Sequence, residues 1–357
     1  MKFIHSADLH LGTSFETSSL PKSFSRFRRE DIWSCLEDMV SYSRDKTIDF
    51  IFLSGDLYNR ENFNSLDMNR LVNLFRKTNS QICIIAGNHD YISTDSLWDE
   101  INLPDNVYVF KNDYLEKIEY DEVDVYGVSY NKRNYPFFDG FDGLKLDKFK
   151  HNVLLIHSDI LTKDDSYMPF DINVVRNLGF DYVALGHIHK PTIINDIFVY
   201  PGSIEPLNFK YNSINGFISG NLDNRSLDLD FIDCSRSKFT NIEFDLSGSF
   251  NYYDLVEKLK DSIVEGKKNY VSLTLKGLLE DKYDLDFKAL EVELSKYCDY
   301  IEIIDETEDN IDLESLYKLN KTNIVGYFLE EINKNEADKK ILNRAKELGL
   351  KALLENN

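Results

Sequence analysis

Cysteine is scarce in this chain, and its spacing gives it no structural pattern. Four cysteines occur among 357 residues, and no two of them form a CxxC pair. This spacing argues against a zinc knuckle and against a disulfide framework. We therefore expect reduced thiols in a cytoplasmic protein at Cys35, Cys83, Cys234 and Cys298.

Long apolar runs are also absent. No stretch approaches the roughly 18 residues that a membrane-spanning helix needs. Met1 leads directly into a strand-like segment, without the basic and apolar regions of a signal peptide. We expect a soluble, unsecreted protein that does not contact a membrane. The hydrophobic fraction of 42% is ordinary for a globular chain, and the length favours two domains over one.

Positive charge is in short supply. Lys and Arg number 41 against 62 Asp and Glu, which gives a formal net charge of -21. A protein that holds nucleic acid by itself usually has a basic face, so this balance weighs against strong unaided DNA binding. The small basic groups are more simply interpreted as solvated surface charge: Arg26, Arg28 and Arg29, and Lys132 and Arg133.

The sequence is organised around short apolar runs that each end in polar, ligand-type side chains. The clearest is Ile82 to Asp90, where the run stops at Gly87 and presents Asn88 and His89. Continuous apolar runs are typical of strands covered on both faces, and the loops at such strand ends carry function in α/β proteins. Four other runs have this form: Lys2 to His10, Ile48 to Asp56, Asn152 to His157 and Tyr182 to His189.

Alternating strand and helix patterns predict a layered α/β domain with parallel central strands and right-handed crossovers. One predicted helix spans about Ser25 to Asp45, and another spans Ser65 to Thr78, with Ser65 as N-cap and Leu66 on its buried side. The segment from Val107 to Tyr130 predicts an antiparallel margin to the sheet. Thr192 to Asp233 predicts a β-meander.

Three regions follow from these patterns. Residues 1–235 form the first domain, residues 236–310 a smaller α/β domain, and residues 311–357 a helical tail. An acidic linker around Asp305 to Asp312 precedes the tail helices. The smaller domain carries no ligand cluster, so we expect it to provide shape rather than chemistry. Two helices are predicted in the tail, Asn323 to Asn333 and Ala337 to Leu354, and the first has an apolar stripe: Ile324, Phe328 and Ile332. Such a stripe either packs on its own domain or binds a partner.

Eight candidate ligand-type side chains follow the five runs: Asp8, His10, Asp56, Asn88, His89, His157, His187 and His189. A single histidine is more often structural than a ligand. Five of only seven histidines lie at these strand ends, however, leaving His5 and His151 as the ordinary ones. Mixed imidazole and carboxylate ligation suits manganese, iron or zinc. The set is too large for one ion, so we expect two divalent metal ions that share a carboxylate.

In order, these segments read D-x-H, GD, GNHD, a single H and GHIH, and the series resembles the calcineurin-like metallophosphoesterase superfamily from Met1 to about Asp233. The resemblance implies that Asp56 bridges the two metals and that His89 is the catalytic histidine. It assigns the remaining ligands to a first metal (Asp8, His10 and His189) and a second metal (Asn88, His157 and His187). Two such ions can activate a shared hydroxide for attack on a phosphate ester, and we expect both to be manganese.

The chain departs from that superfamily at Asn59, close after the bridging Asp56. Related enzymes have Asp or His there, and the Asp of phosphatases orients and charges the catalytic histidine. We expect Asn59 to support His89 by accepting a hydrogen bond. Because it brings no negative charge, a protonated His89 would be less favoured. Activity is therefore predicted to be lowered or altered relative to an Asn59→Asp variant.

Within the superfamily the chain is most similar to the SbcD-type nucleases. The similarity lies in IHSADLHLGTSFE, LSGDLYNRENF, VALGHIHK, in VYPGS followed by Glu205 and Pro206, and in the position of the smaller domain and tail. It implies an exonuclease that degrades DNA in the 3′ to 5′ direction, with endonuclease activity as a second expectation. It also implies a repair complex with an SMC-like, SbcC-type coiled-coil ATPase, and a homodimer. Dimer contacts or core packing explain Phe27, Ile32 and Leu66 equally well.

Two alternatives remain open. The first is a stand-alone phosphatase or phosphodiesterase for protein, cyclic nucleotide or nucleotide substrates, which an acidic chain would suit. Such an enzyme needs neither a capping domain nor an apolar tail, so the region after Ser235 discriminates against it. The second is a non-catalytic scaffold, which predicts eroded ligands. None of the eight candidate positions is eroded.

Overall fold

A computed structural model describes residues 1–15, 22–162, 166–210, 213–224, 226–247, 251–279, 286–309, 313–335 and 339–354. The chain forms two compact units. Met1–Phe239 and Gly266–Lys268 belong to the first unit, and Thr240–Glu265 and Asn269–Asn357 to the second. The division of the chain into a nuclease domain, a capping domain and a docking tail stays a prediction.

The first unit contains most of the regular structure. Its elements are β1 (Lys2–Ser6), α1 (Lys22–Asp45), β2 (Phe50–Ser54), α2 (Ser65–Phe75), β3 (Gln81–Ile85), β4 (Val107–Val109), β5 (Glu116–Glu119), β6 (Val123–Val128), β7 (His151–His157), α3 (Ile172–Leu178), β8 (Tyr182–Gly186), β9 (Thr192–Ile194), β10 (Phe198–Tyr200), β11 (Gly216–Asp223) and β12 (Ser226–Asp233). They build two six-stranded sheets, in the orders β12-β11-β1-β2-β3-β4 and β5-β6-β7-β8-β10-β9.

Alternation along each strand explains why the unit is layered. In β1, Phe3 points into the core between the two sheets, whereas Ile4 points to the outer face that α1 and α2 cover. The outer face of the second sheet is covered by α3 through Val175. Because both faces are covered, all five residues of β2 are buried, and each large apolar side chain so buried contributes about 1.5–3 kcal/mol. The predicted layered α/β fold is confirmed.

Two predictions of strand pairing are wrong. Only β5 and β6 are antiparallel in the expected margin, because β4 pairs in parallel with β3 and β6 in parallel with β7. The expected meander is divided between the sheets, with β9 and β10 in the second and β11 and β12 in the first. Apolar alternation reports that a segment is a strand, but it carries no information about the partner strand or the sheet.

Helix α2 begins differently from the prediction. Asn64, not Ser65, is the N-cap, since its side chain accepts hydrogen bonds from the backbone N–H groups of Leu66 and Asp67. Leu66 then lies in the first turn with 80% of its surface exposed, contrary to its predicted burial. Phe27 on α1 is also exposed, whereas Ile32 is fully buried and serves the core.

The second unit contains a small α/β module. Its elements are β13 (Ser237–Asp245), which starts in the first unit, α4 (Tyr252–Asp261), β14 (Lys268–Leu279), α5 (Phe287–Leu294) and β15 (Tyr300–Asp309). The strands form one sheet in the order β13-β14-β15. The acidic linker predicted from Asp305 is wrong as far as Asp309, because these residues continue β15 and pair in parallel with β14. On the side that faces β14 their backbone belongs to the ladder, and the side chains of Asp305 and Glu306 are exposed. Residues 310–312 of the predicted linker lie outside the described residues.

The described residues of the tail form three helices, α6 (Leu313–Asn320), α7 (Ile324–Asn333) and α8 (Lys339–Leu354), of which α6 was not predicted. They pack together around Val325, Leu329 and Leu350. Of the predicted stripe, Phe328 packs against this cluster, whereas Ile324 is 61% exposed. Ala337 lies outside the described residues. In the described part of the chain, no helix has the length and apolar character to cross a membrane.

Candidate metal centre

The five predicted strand ends meet at one edge of the first unit. Strands β1, β2 and β3 are mutually parallel in one sheet, and β7 and β8 are parallel in the other. Carboxyl ends of parallel strands lie at the same edge of a sheet, where ligands bind. The loops there bring together all the predicted site residues: Asp8, His10, Asp56, Asn88, His89, His157, His187 and His189.

One cluster contains Asp8, His10 and His189, with one ligand atom of each within 4.8 Å of the others. His10 Nε2 lies 3.2 Å from His189 Nε2, and His189 Nε2 lies 3.7 Å from Asp8 Oδ1. Two imidazole nitrogens and a carboxylate oxygen converge on one point. These are the residues predicted to hold the first metal.

A second cluster surrounds Asn88. Its Oδ1 lies 3.1 Å from His157 Nε2 and 3.3 Å from His187 Nδ1. Asp56 stands between the two clusters, because its Oδ2 is 3.7 Å from His10 Nε2 and 3.4 Å from His157 Nε2. This is the arrangement that a bridging carboxylate requires.

His89 lies beside the clusters. Its ligand-type nitrogen is within 4.8 Å of those of His10 and Asp56, and its ring meets the His10 ring edge-on at 5.0 Å. The His89 backbone N–H donates to Asp56 Oδ1 at 2.8 Å. The imidazole is half-buried, so it can face a bound phosphate ester.

The backbone at the site is held in an unfavourable conformation. Four of these non-glycine residues have positive φ: Asp8 at 52°, His10 at 49°, Asp56 at 52° and His187 at 100°. Such conformations cost about 1–3 kcal/mol each. Backbone hydrogen bonds hold two of them, since Asp8 N–H donates to Gly55 O at 3.1 Å and His10 N–H to Asp56 O at 3.0 Å. The fold tolerates this conformational cost, and the side chains are directed into the site.

Two glycines allow the close approach of the loops. A Cβ on Gly87 would lie 2.7 Å from Asp56 N and 2.9 Å from His157 Cε1, and one on Gly186 would lie 2.6 Å from His157 Nδ1. All three neighbours belong to the site, and two of them are ring atoms that cannot move away. Any larger residue at these positions would displace His157.

The donor set fits a pair of cations. His157 Nδ1 lies 2.9 Å from Ser54 O, and a carbonyl oxygen can only accept, so Nδ1 carries the proton. In the neutral ring, Nε2 therefore presents a lone pair toward Asn88 Oδ1 and Asp56 Oδ2. Lone pairs that converge in this way repel each other unless a cation lies among them. A nitrogen and oxygen set with no thiol suits manganese, iron or zinc.

Burial keeps several of the imidazoles neutral. It lowers the pKa of His187 to about 4 and that of His189 to about 3, and it lowers the pKa of His10 as well. A metal binds the neutral form, so these rings are ready to ligate at neutral pH. Burial also raises the pKa of Asp8 to about 7. A bound cation would favour the ionised carboxylate of Asp8.

Without a cation, Asp56 and His157 form a buried ion pair, and a bound cation would take the place of the proton on His157 Nε2. Burial alone would raise the pKa of Asp56, but attraction from His157 and its hydrogen bond bring it below the ordinary value. Burial opposes protonation of His157, but Asp56, Asp8 and the bond to Ser54 outweigh it and raise the pKa to about 9. Asp56 thus stays ionised across the physiological range, as a shared ligand must.

Asp90 has a part that the sequence did not reveal. Its buried carboxylate accepts hydrogen bonds from the backbone N–H groups of Gly87 at 2.6 Å, Leu57 at 2.9 Å and Asp56 at 3.1 Å. It therefore joins the loop that carries Asp56 to the loop that carries Asn88 and His89. The available signal was an acidic residue placed directly in the turn after β3.

Asp90→Asn is expected to lower the free energy of unfolding by about 1–3 kcal/mol, because an amide has one acceptor oxygen and would leave a buried N–H without a partner. Urea denaturation measures this loss. Asp105→Asn, at an exposed acidic position, is the matched control and should change little. Equal stability of the two variants would contradict the joining role of Asp90.

Asn59 has a different partner from the one expected. Its Oδ1 lies 2.9 Å from Nδ1 of His10, and no hydrogen bond joins it to His89 within the described ranges. The adjoining Arg60 holds the backbone of His89 instead, since Arg60 N–H donates to His89 O at 3.4 Å. Sequence spacing gave the location of Asn59 but not the direction of its side chain.

Comparison with known proteins agrees with this geometry. The family model described as calcineurin-like phosphoesterase matches residues 1–191. The chain is 24% identical over 345 residues to the uncharacterized metallophosphoesterase YhaO of Bacillus subtilis, which covers 88% of this chain and 84% of that protein.

Two further relatives are named for DNA or for nuclease action. The DNA double-strand break repair protein Mre11 of Methanocaldococcus jannaschii is 27% identical over 342 residues, covering 88% of this chain and 87% of that protein. A component of the nuclease SbcCD of Staphylococcus epidermidis is 26% identical over 253 residues, covering 60% of this chain and 63% of that protein. From its family match and its converging ligands, the chain belongs to the calcineurin-like phosphoesterase family and is a dimetal, metal-dependent phosphoester hydrolase.

Proposed function

We propose that this protein is a DNA exonuclease that acts in double-strand-break repair, with two Mn²⁺ ions as cofactors. The observation that carries the chemistry is the position of Asp56 between two ligand clusters with His89 beside it. The similarity to Mre11 of Methanocaldococcus jannaschii extends over 88% of the chain, beyond the phosphoesterase domain. That extent supports DNA as the substrate class.

Each side chain has a role in this proposal. Asp56 would bridge the two ions. The first ion would be held by Asp8, His10 and His189, and the second by Asn88, His157 and His187. When bound, the ions supply an activated water and neutralise charge on the phosphoryl group. His89 donates a proton to the departing oxygen or stabilises its charge. Backbone hydrogen bonds hold Asp8 and His10 in their positive-φ conformations, so these groups are in place before substrate arrives.

The tail is the proposed docking segment for an SMC-like, SbcC-type coiled-coil ATPase. Its packed helices still present apolar side chains to solvent, with Ile324 61%, Tyr327 55% and Leu348 54% exposed. Apolar helix faces of this kind bind partner helices. A partner that supplies the basic DNA surface would also reconcile nucleic-acid cleavage with a net charge of -21.

A homodimer is the proposed assembly. Phe27 on α1 and Leu66 on α2 are 61% and 80% exposed, so the first unit presents apolar side chains on two helices. Exposed apolar side chains on helices of this kind support an interface between two copies of the chain.

The net charge favours a second candidate, a phosphodiesterase for small substrates. One experiment separates the two. Purified protein with Mn²⁺ is given end-labelled duplex DNA and, in parallel, a small phosphodiester. Release of labelled nucleotides at physiological salt supports the nuclease. Cleavage of only the small ester, with DNA intact even at low salt, would put the phosphodiesterase ahead.

His89→Ala is expected to slow the cleavage of either substrate by about 100- to 10,000-fold, the usual contribution of a positioned acid, while binding of Mn²⁺ is retained. His151→Ala is the matched control, because His151 lies at the start of β7, away from the carboxyl-end loops. Equal rates for the two variants would contradict the catalytic role of His89.

A further inference from the structure

A chain of hydrogen bonds stands behind His10. It runs from the His10 carbonyl through Thr13 and Asn59 to the His10 ring. We propose that Thr13 is a positioning residue for the metal centre, acting through Asn59 to hold His10 in the tautomer whose Nε2 binds metal. The inference rests on the proposed function, because it takes His10 to be a ligand of the first ion.

The direction of the first link is fixed by the chemistry of its atoms. Thr13 Oγ1 lies 2.7 Å from His10 O. A carbonyl oxygen only accepts, so the single hydroxyl proton of Thr13 is used in this bond. The Thr13 backbone N–H also donates to His10 O at 3.1 Å, which holds the two residues in one tight turn. Any further bond to Thr13 Oγ1 must therefore come from a donor.

The second link follows from the first. The Asn59 amide lies 2.8 Å from Thr13 Oγ1, and only the NH₂ group can donate to it. The orientation of the Asn59 amide is thereby set by Thr13, with its oxygen turned to His10. The backbone of Asn59 is held as well, since its N–H donates to Leu11 O at 2.9 Å and its carbonyl accepts from Asn62 and Phe63 at 3.1 Å.

The third hydrogen bond fixes the tautomer of His10. Asn59 Oδ1 lies 2.9 Å from His10 Nδ1, and an amide oxygen only accepts, so Nδ1 carries the proton. In the neutral ring, Nε2 then presents its lone pair 3.2 Å from His189 Nε2 and 3.7 Å from Asp56 Oδ2. The hydrogen bond at one ring nitrogen decides which nitrogen can ligate.

Loss of Thr13 would release this arrangement. Without the hydroxyl, the Asn59 amide can turn over and present its NH₂ group to His10 Nδ1. His10 would then accept at Nδ1 and carry its proton on Nε2, where the metal must bind. Residues that fix a ligand in this way are worth about 10- to 100-fold in metal affinity. The effect should fall on the ion that His10 holds and spare the other.

The first test needs no metal and no variant. In metal-free, ¹⁵N-labelled protein, the long-range proton–nitrogen correlations of the His10 ring, identified by comparison with His10→Gln, report its tautomer. The proposal expects a proton on Nδ1. A proton on Nε2 in the wild-type protein would overturn it.

The second test compares variants at Thr13 by direct Mn²⁺ binding. Thr13→Val keeps the shape and removes the hydroxyl, Thr13→Ser restores it, and Thr274→Val on β14 is the matched control. Thr13→Val is expected to weaken the binding of one of the two ions by about 10- to 100-fold and to leave the binding of the other unchanged. Thr13→Ser and the control should bind both ions as the wild type does. Melting temperatures verify that each variant is folded.

The outcomes separate this inference from the proposed function. If the wild type binds both ions and Thr13→Val binds them as tightly, the positioning role of Thr13 is overturned while the metal centre stands. A wild-type protein that binds neither ion would overturn the proposed function itself. Equally weakened binding of both ions would also overturn the inference, because it would indicate a general structural defect.

Discussion

Asp56→Asn is expected to lower the rate of phosphoester hydrolysis by about 1,000-fold or more. Asp56 Oδ2 faces His10 and His157 at 3.7 and 3.4 Å, and Oδ1 accepts the backbone N–H of His89 at 2.8 Å. The variant has the same shape but no charge and only one acceptor oxygen. Its single oxygen cannot both serve as the shared ligand and accept the His89 N–H.

The measurement is the initial rate on a small phosphodiester at saturating Mn²⁺, so that DNA binding does not enter. Asp105→Asn changes the same net charge at an exposed position and should leave the rate unchanged. A rate for Asp56→Asn within tenfold of wild type would show that Asp56 does not bridge two ions.

Arg28→Met is expected to lower the free energy of unfolding by about 3–5 kcal/mol. Arg28 on α1 is fully buried, and so is its partner Glu205, whose Oε1 lies 2.6 Å from the guanidinium. The guanidinium also donates to Asp31, Ser237 and Pro206 O. Removing it leaves a buried carboxylate without its counter-charge. The interpretation of Arg28 as solvated surface charge is wrong for this reason.

Urea denaturation tests this expectation with a control one residue away. Arg29 is exposed, so Arg29→Met should change stability by less than about 0.5 kcal/mol. The double variant Arg28→Met with Glu205→Leu should regain part of the loss, because no charge then remains buried unpaired. A loss in Arg28→Met no larger than that in Arg29→Met would contradict the account of this pair.

The sequence was sufficient to predict the strand ends and the residues gathered at them. Buried parallel strands must be apolar on both faces, so runs such as Phe50 to Ser54 are recognisable without structural information. The polar residues that follow such a run have few structural reasons to be there. The convergence of Asp56 and Asn88 at one edge then follows from the parallel pairing of their strands.

What the sequence could not predict depends on partners that are distant along the chain. Arg28 looks solvated because a charge on a helix is usually solvated, but Glu205, 177 residues away, makes its burial tolerable together with Asp31. The Asn59 side chain turns to His10 because Thr13 fixes its amide. The predicted pairing of β9 to β12 was wrong because alternation reports which residues are buried but not which strand is the neighbour.

Equilibrium dialysis of metal-free protein against Mn²⁺ tests the central claim most directly, because it counts ions without depending on a substrate. The account predicts two ions per chain in the wild type, and a loss of tight binding at both sites in Asp56→Asn. His89→Ala should still bind two. One ion per chain in the wild type, or two ions that Asp56→Asn binds as tightly, would contradict a bridged pair.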